Sequence, residues 1–512
     1  TSGRIRCEPW PDAGEYANEY LQFRNYGDTD FELKETIQAL FDNAKKEWPG
    51  VFTTESKILL TPSHLAICVS SMQDIKLFNN NLDVVDDAFE YLMSKAQKGE
   101  KGQYFTPRYV IDMCVKMMNP SMQDKIIDPA CGSSGFTVHS IFHVWNKYRE
   151  DNHLPKEDGF TTIKRTVAET NFVRDNVFAI DFDEKTVRVA RTLNMIAGDG
   201  QTNVLHLNTL DYSRWNEVAK QEEWNDTYNN GFKRLKKLQP KGCSDFNRFS
   251  FDLVMANPPF AGDIKEQTIL SHYELAKSEK GKWQNKVGRD ILFIERNLNF
   301  LKPGGRMAIV LPQGRFNNSS DKNIREFIAA HCRILAVVGL HGNVFKPHTG
   351  TKTSVLFVQK WDDVLCPKKE DYPIFFATMQ KPSKDNSGDK IYVKQAYVEV
   401  TDLTHADKGA ITTKYTRQEF LEHYTSINAA AKYYSKLHDR MIDGEQYQSL
   451  SEDDKKHCSR RVWCTEYSEP VLDRHGHLIV DHDLYNHDGL TQDSIAEAFI
   501  EFAKKEGLSF FR

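Results

Sequence analysis

Residues 251–260 read FDLVMANPPF, and the fold follows from how this stretch divides. Phe251, Leu253, Val254, Met255 and Ala256 form a near-continuous apolar run, the pattern of a strand buried on both faces. The run stops at Asn257-Pro258-Pro259-Phe260. Two prolines offer no N–H to a ladder, so the backbone must leave the sheet there. Open α/β sheets bind their ligands beyond the carboxyl ends of their strands. An amide, a rigid turn and an aromatic ring are therefore expected over that edge.

Upstream, Lys125-Ile126-Ile127-Asp128 reads as a short strand. Pro129-Ala130-Cys131-Gly132-Ser133-Ser134-Gly135 follows as a tight loop of small residues, and Phe136 opens a helix with Val138, Ile141, Phe142 and Trp145 on one side. Strand, small-residue loop and helix make a nucleotide-type binding turn, where the backbone approaches its ligand closely. Val177 to Ile180 is a second strand ending at Asp181, followed by a helix with Val189, Ala190, Leu193, Ile196 and Ala197 buried. An acid ending the second strand is placed to accept both hydroxyls of a ribose. It competes with an N-cap role, which Asp183 fills better. Asn203 to Leu210 reads as a third strand.

Downstream, Ile291, Ile294, Leu298 and Leu301 line a helix stopped by Pro303-Gly304-Gly305. Met307 to Leu311 is a buried strand, Ile324, Phe327 and Ile328 mark a helix, and Ile334–Leu340 and Thr353–Gln359 complete the sheet. The alternation predicts an α/β fold with a mostly parallel sheet. Four segments are expected: an extended arm (1–30), a helical N-terminal domain (31–98), the α/β domain (99–360), and a charged, partly helical C-terminal region (361–512) for partner or DNA contacts. In the helical domain, Leu33, Ile37, Leu40 and Phe41 share one face, and Val84, Val85, Ala88, Phe89 and Leu92 another. Between Asp211 and Arg248, Lys233, Arg234, Lys236, Lys237 and Lys241 mix with Trp215, Trp224, Tyr228 and Phe232. That mixture suits either a nucleic-acid backbone or a solvated surface loop.

The linker Gly99 to Arg108 contains GQYFTPR, where Thr106 is expected to cap a helix with Pro107 in its first turn. Val110, Met113, Cys114 and Met117 supply that helix's apolar stripe. Taken together, GQYFTPR, DPACGSSGF, Asp181 and NPPF occur in an order that resembles the N6-adenine DNA methyltransferases, and in particular the modification subunits of type I restriction-modification systems. The resemblance covers about residues 100–360. It implies a Rossmann-like, S-adenosylmethionine-dependent methyltransferase sheet with one antiparallel strand near its edge.

The resemblance also assigns roles. Asn257, Pro258, Pro259 and Phe260 match the catalytic motif. An aromatic amine is a poor nucleophile because its lone pair is delocalised into the ring. The Asn257 side-chain oxygen and the Pro258 carbonyl would draw on its hydrogens and free that pair, while Phe260 stacks on the base. Gln103, Tyr104, Phe105, Thr106, Pro107 and Arg108 match the segment that holds the methionine end of S-adenosylmethionine, where a helix N-terminus receives the carboxylate. Asp128, Ala130, Cys131, Gly132, Ser133, Ser134, Gly135 and Phe136 match the first cofactor motif, and Asp181 the ribose ligand. Asn208 matches an adenine-contacting position where the family often carries an acid. Phe345 resembles a second aromatic set against the flipped base. The implied partners are duplex DNA, a DNA-specificity subunit and a restriction (translocase/nuclease) subunit.

With 512 residues, 40% hydrophobic and 27% charged, the chain has room for two to four domains. Nine scattered cysteines without a CxxC point to a reducing cytoplasm and against a disulfide framework or structural zinc site. No apolar run is long enough for a membrane, and no signal peptide is read. The chain opens Thr1-Ser2-Gly3 without an initiator methionine, so upstream sequence is expected to have been removed or left out. The net charge is −5 and the pI about 6.4, so a partner is expected to supply much of the phosphate-binding surface. His475, His477, His482 and His487 with Asp481, Asp483 and Asp488 fit no metal spacing and read as a polar loop before a terminal helix. Two other readings stay open: a self-sufficient methyltransferase fused upstream to a nuclease, and a non-catalytic binding module. N4-cytosine methylation is a lesser variant, since its enzymes more often place serine at the first motif position.

Overall fold

The computed structural model describes residues 28–47, 55–72, 105–155, 165–196, 203–278, 280–404, 409–473, 477–487, 489, 491 and 494–511. Two compact units result: 389–481, and the remainder of the chain.

The larger unit is built on an eight-stranded sheet. Its strands are β1 (Ile126–Asp128), β2 (Val177–Asp181), β3 (Val204–His206), β4 (Phe251–Ala256), β7 (Leu301–Pro312), β8 (Cys332–Gly339), β9 (Thr353–Lys360) and β10 (Phe375–Thr378). Two further strands, β5 (Asp263–Ile264) and β6 (Val287–Gly288), pair apart from it. The sheet order is β10-β8-β9-β7-β4-β1-β2-β3. Only β9 runs antiparallel, wedged between β7 and β8. The parallel sheet with one reversed strand is thus the expected one. Strand β4 sits near the middle and is buried on both faces because its side chains are apolar without alternation.

Helices α1 (Asp30–Glu47) and α2 (Pro62–Met72) precede the sheet. The stripe at Val84 to Leu92 lies outside the described residues. Helices α3 (Arg108–Met118), α4 (Gly135–Asp151), α5 (Val167–Asn176), α6 (Glu184–Ile196), α7 (Glu222–Lys236), α8 (Arg289–Phe300), α9 (Lys322–His331) and α10 (Ile495–Lys505) follow. From the C-terminal end α10 returns to the sheet: Phe499 stacks on Phe357 of β9 at 6.2 Å and meets Phe375 of β10 edge-on.

Three local expectations need correction. The third strand is only Val204–His206, because the Asn208 side-chain oxygen accepts the N–H groups of Leu210 and Asp211 and turns the chain. The 211–248 segment is not a surface loop: Trp215, Trp224, Tyr228 and Phe232 are core residues. Two of its cations are also engaged, Arg234 with Asn203 at 3.1 Å and Lys236 over the Phe232 ring. Finally, Pro303-Gly304-Gly305 does not stop the preceding helix but lies inside β7. Helix α8 already ends at Phe300, and residues 302–305 bulge between two paired registers with β4.

The smaller unit has a five-stranded antiparallel sheet ordered β12-β11-β15-β13-β14. These strands are β11 (Lys394–Asp402), β12 (Ile411–Thr416), β13 (Lys432–Ser435), β14 (Arg440–Asp443) and β15 (Cys458–Pro470). Val398, Val400, Phe420, Ala430 and Val462 form its core.

Candidate functional site

The carboxyl ends of β1, β2 and β4 bring the motifs together. After β4 the chain turns out through Asn257, and the Pro258 side chain is buried while Phe260 stays half-buried. Asn257 Nδ2 donates to Thr106 Oγ1 at 3.0 Å, across 151 residues of sequence. This leaves Asn257 Oδ1 buried and without a hydrogen-bond partner. Thr106 is therefore not the N-cap: Pro107 occupies that position, with φ −57° and ψ 141°, and no side chain caps the helix. The threonine hydroxyl is taken up by the motif from β4 instead. Phe105 and Arg108 flank it at the open start of α3, and Gln103 and Tyr104 lie outside the described residues.

The Phe260 ring meets Phe345 edge-to-face, with centroids 6.3 Å apart and planes at 85°. Phe345 itself is only 3% exposed, so it stands behind Phe260 as a wall.

The loop after β1 is held by its own polar groups. Asp128 is buried, and its carboxylate accepts the Ala130 N–H at 3.0 Å. Burial, then the nearby charge of Asp181, pushes the Asp128 carboxyl well above the ordinary range. Gly132 has φ +51°, and a Cβ built there meets nothing within 4 Å. The loop thus faces open space at a point where a side chain would intrude. Ser134 also adopts a left-handed conformation (φ 69°) just before α4. Ser133 is partly exposed, whereas Cys131 and Phe136 are buried. Burial, then the charges of Asp181 and Asp128, raises the Cys131 thiol. It is a packing residue, not a thiolate. Gly135 abuts Ile111 of α3, only 2.5 Å from a hypothetical Cβ.

Asp181 ends β2 as expected. Its Oδ2 accepts the Gly132 N–H at 3.0 Å and its Oδ1 the Asp183 N–H at 2.9 Å, which fixes the carboxylate's orientation. Burial raises its titration. Asp183 caps α6, accepting from Lys185 N and Thr186 Oγ1. Asn208 lies beside this edge, but its oxygen is committed to the turn.

Two features escaped sequence reading. Phe182, directly after Asp181, is 70% exposed, a large ring left in solvent at a ligand edge. Its sequence position was the available signal. The second is a brace between the helices that frame the loop: His139 Nδ1 of α4 lies 2.6 Å from Asp112 Oδ1 of α3, and Tyr485 donates to Asp112 Oδ2 at 3.1 Å. Burial would raise the Asp112 carboxyl, but the His139 charge and hydrogen bond outweigh it and hold it at about 2. No sequence signal marks a contact between positions 27 apart on different helices.

His475 and Asp488 lie outside the described residues, and among the described residues no group of three or more His, Cys, Asp or Glu could hold a metal. The described cysteines are all free. No helix among the described residues is long and apolar enough to cross a membrane.

A parallel sheet with one reversed strand, ligand loops at its carboxyl edge and NPPF after the central strand define the chain as a methyltransferase of the Rossmann-like class. More particularly, residues 80–432 match the N-6 DNA Methylase family, to which the chain belongs. It is 24% identical over 296 residues to the type I restriction enzyme EcoEI methylase subunit of Escherichia coli, covering 57% of this chain and 48% of that protein. It is 25% identical over 324 residues to the type I restriction enzyme StySPI methylase subunit of Salmonella potsdam, covering 62% and 52%. The chain spans about half the length of these curated relatives. Among solved structures, the type I restriction-modification system methyltransferase subunit from Streptococcus thermophilus aligns with a TM-score of 0.35 and 20% identity, over 54% of this chain and 48% of that one.

Proposed function

We propose that the chain transfers the methyl group of S-adenosylmethionine to N6 of an adenine flipped out of duplex DNA, as the modification subunit of a type I restriction-modification assembly. One observation carries this reading: Asn257 Oδ1 is a buried acceptor with no partner in the resting protein. Such a group asks for a reason, and this one stands in the NPPF turn directly after the central strand. An amine brought to this edge would supply the missing donor. The Asn257 oxygen and the Pro258 carbonyl then accept hydrogen bonds from its two N–H groups, which frees the nitrogen lone pair for attack. Thr106 keeps the amide from rotating, and Phe260 covers the base. A stacked adenine cannot reach the site, so it must leave the duplex at a cost of a few kcal/mol.

The residues also fit the cofactor, which supplies the electrophilic methyl when bound. The oriented Asp181 carboxylate suits the ribose diol, the open side of Gly132 admits the ligand, and exposed Phe182 offers a face to the adenine ring. The α3 N-terminus beside Phe105, Thr106 and Arg108 suits the carboxylate. Displacement in line needs no covalent nucleophile, in keeping with a buried Cys131.

A DNA-specificity subunit and a restriction subunit are the proposed partners. The net charge of −5 supports shared phosphate contacts. The test is methylation-sensitive sequencing of DNA from cells expressing the chain with and without its specificity partner. N6-methyladenine at defined sites only when both are present is the expected result. Site-specific methylation by the chain alone favours the self-sufficient enzyme, and no methylation in either case rejects the proposal.

A further inference from the structure

Immediately after NPPF the chain projects an arm, and its tip differs in character from its root. The root begins two residues beyond Phe260. Strands β5 and β6 pair there, and Arg289 N donates back to Gly262 O at 3.2 Å. The arm's base is fastened from inside. Ile269, Leu270, Tyr273, Leu275 and Ala276 are buried. Tyr273 donates to Leu210 O at 2.8 Å, and the Glu295 carboxylate accepts the N–H groups of Glu274 and Leu275, each at 2.9 Å.

Beyond this base stands a tight hairpin. Lys277 pairs with Trp283, Ser278 N donates to Lys282 O and Gly281 N to Ser278 O, both at 2.8 Å. Gly281, with φ +72°, makes the reversal. Residues 277–286 hold four lysines and one glutamate in a chain whose net charge is −5. Lys277, Lys280, Lys282 and Lys286 are all exposed. Among the described residues, the Lys286 ammonium has a carboxylate close by, Asp263 at 3.0 Å. Trp283 is 44% exposed with the Lys277 ammonium 4.8 Å from its ring.

We propose that this hairpin grips the sugar–phosphate backbone of the duplex beside the flipped base, through Lys280, Lys282 and Lys277 and with Trp283 as an apolar contact. The inference rests on the methyltransferase reading, which puts a polyanion at Phe260. It also names the surface that meets that polyanion. A fastened base and a cationic tip suit a contact that must position DNA while the base is turned out. The mixed basic and aromatic segment 211–248 does not offer this, because its rings are in the core.

The experiment measures binding of the full chain to a fluorescein-labelled duplex of random sequence, by anisotropy across sodium chloride concentrations starting at low ionic strength. Three proteins are compared: the parent, Lys280→Glu/Lys282→Glu, and Lys368→Glu/Lys369→Glu as an equal change of net charge on another exposed loop. S-adenosylmethionine affinity and thermal unfolding check that each is folded. The tip variant should bind at least tenfold more weakly than the parent, and its slope of log K against log salt should be smaller by about 2, since each lost phosphate contact removes roughly 0.9. The control should keep the parent slope. Equal losses in both variants, an unchanged tip variant, or a parent that binds no duplex at low ionic strength each overturn the hairpin assignment. Methyl incorporation by the parent is assayed separately. A tip-dependent salt slope without any methyl transfer would leave the hairpin standing and remove the enzymatic reading.

Discussion

Replacing Asn257 with alanine should separate function from stability in an unusual direction. In the resting protein the side chain makes one hydrogen bond, Nδ2 to Thr106 at 3.0 Å, and carries one buried acceptor with none. Such a bond contributes about 0.5–1.5 kcal/mol, while an unsatisfied buried polar group costs about 1–3 kcal/mol. Truncation removes both, so the change in stability should lie between a loss of about 0.5 kcal/mol and a gain of about 2.5 kcal/mol. Methyl transfer should fall on the order of 100- to 1000-fold, the loss expected when one preorganised polar partner of the reacting group is deleted. Asn257→Asp keeps an acceptor, and Thr106 can turn to donate, so it should retain measurable activity. Single-turnover methyl incorporation, calorimetry with S-adenosylmethionine and denaturant unfolding provide the three readouts. An alanine variant that methylates at the parent rate refutes the assignment. So does one that loses activity only in step with stability and cofactor affinity, because that is how a packing residue behaves.

Thr106→Val should lower methyl transfer about tenfold by releasing the amide, on the scale of a lost hydrogen bond of about 1.4 kcal/mol, and Thr106→Ser should restore it. An inactive serine variant would tell against the positioning role. Asp181→Ala should weaken S-adenosylmethionine binding by about 1–3 kcal/mol, and calorimetry returning the parent affinity removes it as the ribose ligand. Phe260→Ala should lose roughly 1–3 kcal/mol of base stacking with cofactor binding little changed, whereas Phe260→Trp keeps most activity; equal rates in the alanine variant would make Phe260 a packing residue. Acid should weaken the fold through His482, which is fully buried. Burial, then the His487 charge, lowers its titration to about 3, while the unfolded chain takes up that proton near pH 6.5. Stability is therefore complete above about pH 6.5 and declines by about 1.4 kcal/mol per unit as pH falls towards 3. His482→Asn should flatten this decline in urea titrations, and an unchanged slope contradicts the assignment.

The sheet was legible because its strands are apolar without alternation and its turns are marked by proline, glycine and acids. Phe251 to Ala256 needs no tertiary information to be read as a central strand. The edge chemistry at Asp181 and Asn257 follows from those strand ends. What sequence could not supply is how distant polar groups choose each other. Thr106 before Pro107 has the local pattern of a cap, and only the folded chain shows its hydroxyl taken by Asn257. Asn208 inside a β-rich run looks like strand until its side chain captures two backbone N–H groups. Trp215, Trp224, Tyr228 and Phe232 among lysines look like a surface, because a helix with one buried face carries both kinds of residue. Local pattern names the element, and tertiary competition for hydrogen bonds decides its end.

The two ends of the sheet differ in how their polar groups are used. At the amino end of the parallel strands, Arg306 is buried yet fully engaged: Nε donates to Met118 O at 2.7 Å and Nη2 to Asn119 O at 3.1 Å, while Nη1 and Nη2 both reach the Asp124 carboxylate. Gln359 there donates to Gly304 O and to Ser509. That end is a closed polar network, worth its burial because its donors are used. At the carboxyl end the chain tolerates an orphan acceptor on Asn257, two acids whose burial disfavours their charge, a serine in the left-handed region and an exposed Phe182. Each is unfavourable in the folded chain alone, and together they occupy one edge. At this edge the Asp181 carboxylate and the Asn257 oxygen are acceptors, which the proposed function assigns to the hydroxyls of a ribose and the hydrogens of an amine.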